Sequence, residues 1–272
     1  MRRTETKLSQ GTDADWIAIS TSWSAEAGAF IKSSELYNLS KRALGKMGFD
    51  LDAMNIKVRM TPNKPGGAAY RVSIPEDVRF RGNFMDGFEG ARGWFHELGH
   101  AVHMKEVKAK RHPFRALPVD NALNEGIGEV FGAIVRDLDW VRGQFPHLTP
   151  TEIANFKKAD DALDALAVRA NCYHARLELS LFEGPLDPER VKRIHKDVYS
   201  KDSSYDPSYP LYVYLFRPLY VREYVISHEV TRLFLERLGA RPLLSKAGGD
   251  YLRSALLAPG ARLTLEAFLK QD

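Results

Sequence analysis

The sequence predicts a mainly α-helical fold with one small antiparallel β-sheet, and two patterns support this prediction. Over most of the chain, apolar residues recur at alternating steps of three and four, which is the spacing of one helix face. Only residues 56–60 and 70–74 alternate one by one between apolar and polar, as strands do. The proline- and glycine-rich residues 62–67 between them have turn chemistry, so a small sheet is expected there.

Capping and breaking signals set the predicted ends of the helices. Thr149 can cap a long helix that Pro150 opens, and Asp187 followed by Pro188 repeats the same signal for a shorter helix. No repeat or long linker is visible, so residues 1–272 are predicted to form a single domain with residues 1–14 loose. The predicted helices cover about 33–46, 85–107, 123–131, 150–183, a short segment from 187, 218–238, 251–257 and 263–269.

Composition and charge limit the functional classes. The chain has 272 residues, of which 44% are hydrophobic, and a formal net charge of +4, as in many globular proteins. It has no dense lysine and arginine run with interleaved aromatics, so nucleic-acid binding is not expected. The single Cys172 cannot form an internal disulfide, and neither a signal peptide nor an apolar stretch of membrane-spanning length is visible. A cytoplasmic protein without a membrane partner is therefore expected; the alternative is a secreted protein whose signal peptide is not in this sequence.

The pentapeptide from His96 to His100, His-Glu-Leu-Gly-His, carries the strongest chemical signal in the sequence. It lies in a segment with helical spacing, so its two histidines share one helix face and can bind one metal ion. Glu97 directly follows the first histidine and can take a proton from a water molecule at the metal. This HExxH pattern is typical of zinc hydrolases, so Zn²⁺ is the predicted cofactor.

A catalytic zinc site needs a third protein ligand and leaves its last position open for water. Glu125 and Glu129 are four residues apart, so both project from one face of a second predicted helix. Glu125 is the predicted ligand, and Glu129 is the predicted carboxylate that orients a ligand histidine. The alternative for this pair is a charged stripe on a solvent face. His103 is expected either to contact a metal ligand without binding the metal itself or to lie on the surface.

Residues 95–100 and 124–129 resemble the metal motifs of the angiotensin-converting-enzyme-like peptidyl-dipeptidases, in which HEMGH is followed by HEAIGD at nearly the same separation. Weaker similarity at residues 77–80 and 245–248 extends the resemblance over roughly residues 66–257. It implies a zincin-like helical metallopeptidase core, of which this chain looks like the C-terminal catalytic part only. The family's ligand glutamate falls on Glu125, and its supporting aspartate falls on Glu129.

The resemblance also implies where a peptide substrate binds. The family has a strand beside the zinc helix, which falls on residues 66–70 and makes Ala68 a candidate substrate contact. Glycine and alanine there would admit a peptide closely, so that it pairs with the strand backbone. The family's strand histidine falls on Gly66, so that contact is missing. An ordinary hairpin with a flexible turn is the alternative.

Tyrosines near the predicted helix at 218–238 are candidates for stabilising negative charge on the reacting carbonyl oxygen. The family has a Pro-Tyr-Ile-Arg-Tyr run here. When the run is aligned with this sequence without a gap, the family's catalytic tyrosine falls on Glu223. When the alignment is shifted by one residue, that tyrosine falls on Tyr224, and a histidine that precedes it in the family falls on Tyr214. Tyr224 is the predicted oxyanion donor, with Tyr220, Arg222 and Tyr214 as substrate contacts. An amphipathic helix with aromatic core positions is the alternative.

These patterns together predict a single catalytic domain with zinc-dependent peptidase activity on peptide substrates. The resemblance adds the expectation that C-terminal dipeptides are released. One alternative is a catalytically weak or inactive zinc-fold binding or scaffold protein, because the strand and tyrosine segments depart from the family pattern. Another is an oligoendopeptidase of the thimet type, since residues 96–103 also look like that family's zinc helix.

Overall fold

The computed structural model describes residues 31–61, 66–108, 117, 120–184, 187–200 and 219–271. Helices dominate these residues, so the prediction of a mainly α-helical fold with one small sheet is confirmed. The helices are α1 (Leu36–Lys46), α2 (Leu51–Met54), α3 (Phe88–Glu106), α4 (Asn121–Gly132), α5 (Leu138–Gln144), α6 (Pro150–Leu181), α7 (Pro188–Tyr199), α8 (Tyr220–Leu238), α9 (Lys246–Leu252) and α10 (Leu265–Leu269).

The sheet is mixed, which corrects the prediction that it is antiparallel throughout. Its strands are β1 (Lys57–Met60), β2 (Gly66–Ser73) and β3 (Asp77–Asn83), in the order β1-β3-β2. The two predicted strands do not pair with each other, because β3 lies between them, antiparallel to β2 and parallel to β1. Residues 79–83 lie outside both predicted strands. They form the central strand because alternate side chains, Val78 and Phe80, are fully buried against the helices.

The core lies where the sheet and α4 pack against α3. The side chains of Trp94, Phe95 and Leu98 on α3 are almost completely buried, and the Phe80 ring of β3 meets the Trp94 ring edge-on, with 4.7 Å between the ring centroids. On the other side, an added Cβ at Gly99 would lie 2.7 Å from side-chain atoms of Phe131 on α4. Glycine at this position therefore lets α3 and α4 approach closely.

The long helix α6 begins where its capping signals predict. Thr149 accepts a hydrogen bond from the backbone N–H of Glu152, whose carboxylate accepts one from the N–H of Thr149, and Pro150 is the first helical residue. Asp187 caps α7 by accepting from the N–H of Arg190. Across the described ranges, no helix is both long and apolar enough to cross a membrane.

Candidate metal centre

Helices α3 and α4 bring together three side chains that can bind a metal: His96, His100 and Glu125. Their ligand atoms all lie within 4.8 Å of one another. The Nε2 atoms of His96 and His100 are 3.3 Å apart, and Oε2 of Glu125 is 3.5 Å from Nε2 of His96. Two imidazole nitrogens and one carboxylate oxygen are a donor set that zinc takes in catalytic sites. The three residues therefore fit the metal that the sequence motif implies.

Gly128 allows α4 to approach both histidines. An added Cβ at this position would lie 2.7 Å from Cε1 of His96 and 3.0 Å from Cε1 of His100, which is too close for carbon atoms in contact. Gly126 likewise allows α4 to approach α8 closely, because an added Cβ at this position would lie 2.6 Å from a methyl group of Val230. Glycine weakens a helix interior, and its presence at these two positions is explained by the close helix spacing that it allows at the site.

Glu129 holds the imidazole of His96 from the side opposite Glu125. Its Oε1 is 3.3 Å from Nδ1 of His96, and its Oε2 is 3.2 Å from Nη2 of Arg92. A carboxylate on the second ring nitrogen of a ligand histidine fixes its tautomer and orientation. Asp164 on α6 lies 3.8 Å from Arg92 and 2.9 Å from Arg136, which extends the ionic contacts away from the cluster.

Burial and mutual contact shift the pKa values in this cluster. Burial lowers the pKa of His96, but hydrogen bonds with Glu125 and Glu129 outweigh it and raise that pKa to about 10. Burial, with the adjacent His96 charge, lowers the pKa of His100 to about 4. Burial raises the pKa of Glu129, but His96 and Arg92 more than offset this and lower it to about 2. Without metal, the cluster therefore has one protonated histidine between two carboxylates at neutral pH.

Glu97 lies beside the edge strand β2. Its carboxylate accepts a hydrogen bond from the backbone N–H of Ala69, and an added Cβ at Gly67 would lie 3.1 Å from its Cγ. Burial raises the pKa of Glu97 to about 7 against the opposing charge of His96. A carboxyl group with a pKa near 7 can both accept and return a proton at neutral pH. Ala68, the adjacent candidate substrate contact, pairs with Arg81 of β3.

Helix α8 brings two phenols to the cluster. The hydroxyl of Tyr224 is hydrogen-bonded to Glu125 and lies 2.7 Å from the hydroxyl of Tyr220. Burial, followed by the charge of Glu125, raises the pKa of Tyr224 above its usual value, so the phenol stays protonated and can donate. Glu223, on which the family's catalytic tyrosine falls without the one-residue shift, accepts a hydrogen bond of 2.6 Å from Asn121.

The two remaining predicted substrate contacts are Arg222 and Tyr214. Arg222 lies on α8 with an exposed side chain, so it is accessible to a ligand. Tyr214 lies outside the described residues. The described residues therefore bring Tyr220 and Tyr224 to the cluster.

A buried carboxylate from α6 caps the start of α8. Glu178 is 1% exposed and accepts a hydrogen bond of 3.2 Å from the N–H of Tyr220. Burial raises its pKa, and hydrogen bonds from the N–H groups of residues 219–222 partly offset that rise. The first N–H groups of a helix lack partners within it, and α8 has no side-chain cap of its own. Glu178 is 42 residues away in sequence, so no local signal could have revealed this contact.

His103 is buried one turn after His100, which excludes the surface position considered for it. Its Nε2 has no hydrogen-bond partner among the described residues, and burial lowers its pKa to about 3, so the ring is neutral. His228 on α8 is half-buried and lies within hydrogen-bond distance of Asn171, at 3.4 Å. Among the described residues, neither histidine belongs to the candidate metal-binding group.

Several solved structures are similar to this chain, at identities that show the fold alone. The M32 carboxypeptidase of Deinococcus radiodurans R1 aligns with a TM-score of 0.67 and 15% identity, over 90% of this chain and 56% of that one. Metallocarboxypeptidase 1 of Trypanosoma cruzi aligns with a TM-score of 0.64 and 15% identity, over 94% and 62%. A proposed oligoendopeptidase F from Bacillus anthracis aligns with a TM-score of 0.56 and 17% identity, over 96% and 42%.

The fold of the chain is therefore similar to that of these two metallocarboxypeptidases. This similarity confirms the helical fold that the sequence resemblance implies. The three structures are named as two carboxypeptidases and a proposed oligoendopeptidase, and none of them as a peptidyl-dipeptidase. The sequence matches no protein-family model and no curated protein. The chain spans between 42% and 62% of the length of the three structures named above.

Replacing Gly128 by alanine is expected to weaken zinc binding by at least about tenfold, because the added methyl group overlaps both imidazoles. Competition with a chromophoric chelator measures this change. Gly143→Ala on α5 is the matched control, since an added Cβ there meets nothing within 4 Å. Equal zinc affinity in the two variants would show that Gly128 does not set the position of the histidines.

Zinc binding at pH 7 is expected to release about one proton, because His96 has a pKa of about 10 in the metal-free cluster and must be neutral to bind. Affinity should therefore fall as pH falls, by about tenfold per unit near neutrality. Calorimetry in buffers of different ionisation enthalpy measures the released protons. Glu129→Gln should reduce the release, because it removes one of the carboxylates that raise the pKa of His96.

Proposed function

We propose that this protein is a zinc-dependent peptidase that hydrolyses peptide bonds. The observation that carries the proposal is the convergence of His96, His100 and Glu125, with Glu97 beside them on the same helix as the histidines. The fold similarity to metallocarboxypeptidases supports it. His96, His100 and Glu125 would hold the zinc, and Glu129 would keep His96 oriented. Bound zinc would supply Lewis acidity and lower the pKa of water.

Glu97 is the proposed general base and acid. It is held by the N–H of Ala69 at the edge of β2, next to the histidines, and burial brings its pKa to about 7. In this role it takes the proton of the attacking water and later delivers it to the nitrogen of the leaving amine. The same group can do both because its pKa is close to neutral pH.

Tyr224 is the proposed donor to the carbonyl oxygen as negative charge develops there. Its phenol is protonated, partly desolvated and already at the cluster through Glu125. A donor fixed before the reaction stabilises the developing charge without further reorganisation. Tyr220 lies one turn earlier, with its hydroxyl 2.7 Å away, and orients the Tyr224 hydroxyl. The cap provided by Glu178 supports both tyrosines from α6.

The open edge of β2 is the proposed binding site for the peptide backbone. Within the described sheet, β2 pairs on one side only, with β3, and so can accept a further strand on its other side. Residues 66–69 of this strand are two glycines followed by two alanines, which leave room for a close approach. The strand also contacts Glu97 through Ala69, so a peptide paired there runs past the proposed base.

Release of C-terminal dipeptides is the finer proposal for cleavage position, and it rests on the family resemblance of the two metal motifs. The similarity to carboxypeptidases also favours action at the C-terminal end of the substrate. Internal cleavage is the second candidate, favoured by the similarity to the Bacillus anthracis protein. Mass spectrometry of a peptide-library digest distinguishes the two, since products shortened by a constant number of C-terminal residues exclude internal cleavage.

Glu97→Gln is expected to reduce peptide hydrolysis by at least about a thousandfold while zinc content stays unchanged, because the amide cannot accept the proton. The measurements are the library digest and metal analysis of the same preparation. Glu89→Gln, an exposed position on α3, is the matched control and should retain activity. Full activity in the Glu97 variant would refute the proposed mechanism, and zinc binding without any cleavage by the wild-type protein would favour the scaffold alternative.

Tyr224→Phe is expected to lower kcat by about a hundredfold or more, with a smaller change in KM, because the lost hydrogen bond matters most when charge develops. Tyr220→Phe should have a smaller effect, since its hydroxyl contacts the cluster through Tyr224. Steady-state kinetics on one cleaved peptide measures both variants. Equal kcat in wild type and Tyr224→Phe would exclude Tyr224 as the donor.

A further inference from the structure

We propose that the outer face of the sheet selects peptide substrates with acidic side chains. This face is defined here by Lys57, Arg59, Arg79 and Arg81 with Asp77, and it is the side of the sheet turned away from α3. The inference rests on the proposed function, because it assigns the substrate class of the same site. The chemical class is a peptide with glutamate or aspartate at alternate positions along the segment that pairs with β2.

The strand register places these side chains on one surface. In β3, Val78 and Phe80 point into the core, so Asp77, Arg79 and Arg81, which alternate with them, point outward. Lys57 of β1 pairs with Arg79, and Arg59 pairs with Arg81. Among the described residues, four cationic side chains thus share a small area with a single carboxylate, Asp77.

The single carboxylate is already engaged. Asp77 accepts two hydrogen bonds from Arg79, of 3.1 and 2.7 Å, and lies 3.1 Å from Nζ of Lys57. Arg59 and Arg81 have no carboxylate partner within the described part of the chain. They also lie directly opposite each other on the adjacent strands β1 and β3. Like charges in that arrangement destabilise a sheet. A bound anion would relieve this repulsion, and guanidinium groups bind carboxylates with matched geometry.

Arg81 is directed toward the strand that would receive the peptide. Its guanidinium carbon lies 5.8 Å from the centroid of the Tyr70 ring, which is on β2, so the side chain leans toward that strand. The residue of β2 directly opposite Arg81 is Ala68, whose methyl group leaves the space above it free. The aromatic ring holds the guanidinium in place through a cation–π contact.

A peptide paired with the free edge of β2 would become the fourth strand of the sheet. Successive side chains of a strand point to opposite faces, so every second peptide residue would lie on the basic face. That strand would be about 10 Å from β3, a distance that an arginine and a glutamate side chain span from the two sides. The other face of the peptide would point toward α3 and Glu97, away from the basic face, so acidic preference is expected only at alternate positions.

The test uses pairs of peptides that differ only in glutamate or glutamine at each position near the cleavage site. Wild-type protein should cleave the glutamate peptides with a kcat/KM about three- to tenfold higher, at alternate positions and less so at high salt. Arg59→Gln combined with Arg81→Gln should abolish this preference, and the lysine pair should restore part of it. Arg42→Gln is the matched control, because Arg42 is an exposed cation on α1, outside the sheet.

Binding measured without turnover separates this inference from the proposed function. Fluorescence anisotropy of the same labelled peptides on zinc-loaded Glu97→Gln protein should show the same preference and the same loss in the double variant. If no peptide is cleaved but this binding preference is present, the peptidase proposal fails and the acidic surface is retained. Equal affinity for the glutamate and glutamine peptides, or a preference that survives loss of both arginines, overturns the inference.

Discussion

The candidate site depends on how closely α3 and α4 approach each other. Two of the candidate ligands lie on α3 and one on α4, so the distance between these helices decides whether three donor atoms can meet. Gly99 and Gly128 set that distance, because a methyl group at either position would overlap the facing helix. Gly126 carries the same tight packing to α8, and thereby brings the phenols to Glu125. The chemistry of the site is thus a consequence of helix packing at three small residues.

Burying so many ionisable groups requires that their charges be balanced. A buried charge without a partner costs several kcal/mol, by an order-of-magnitude rule. Carboxylates and bases alternate around His96: Glu125 on one nitrogen and Glu129 on the other, with Arg92 behind Glu129. Asp164 and Arg136 continue this alternation to α6. The site is therefore anchored electrostatically as well as by apolar packing, and α6 contributes to it without providing a candidate metal ligand.

Local signals predicted what depends on local structure. The spacing of His96 and His100, and of Glu125 and Glu129, puts each pair on one helix face whatever surrounds it, and capping residues such as Thr149 act within one turn. The topology of the sheet was not predictable in the same way, because β3 lies between the two strands that the sequence predicts as a pair. Contacts from Glu178 and Arg92 join distant segments, and no spacing rule connects such residues.

The cap on α8 has a consequence for how this chain can vary. Because Glu178 of α6 accepts hydrogen bonds from the first N–H groups of α8, the start of this helix has an anchor on another helix. A substitution of Glu178 would disturb the helix start that places Tyr220 and Tyr224 beside Glu125. Variation at position 178 is therefore expected to be more restricted than at the exposed positions of α6, although Glu178 is not one of the three candidate metal ligands.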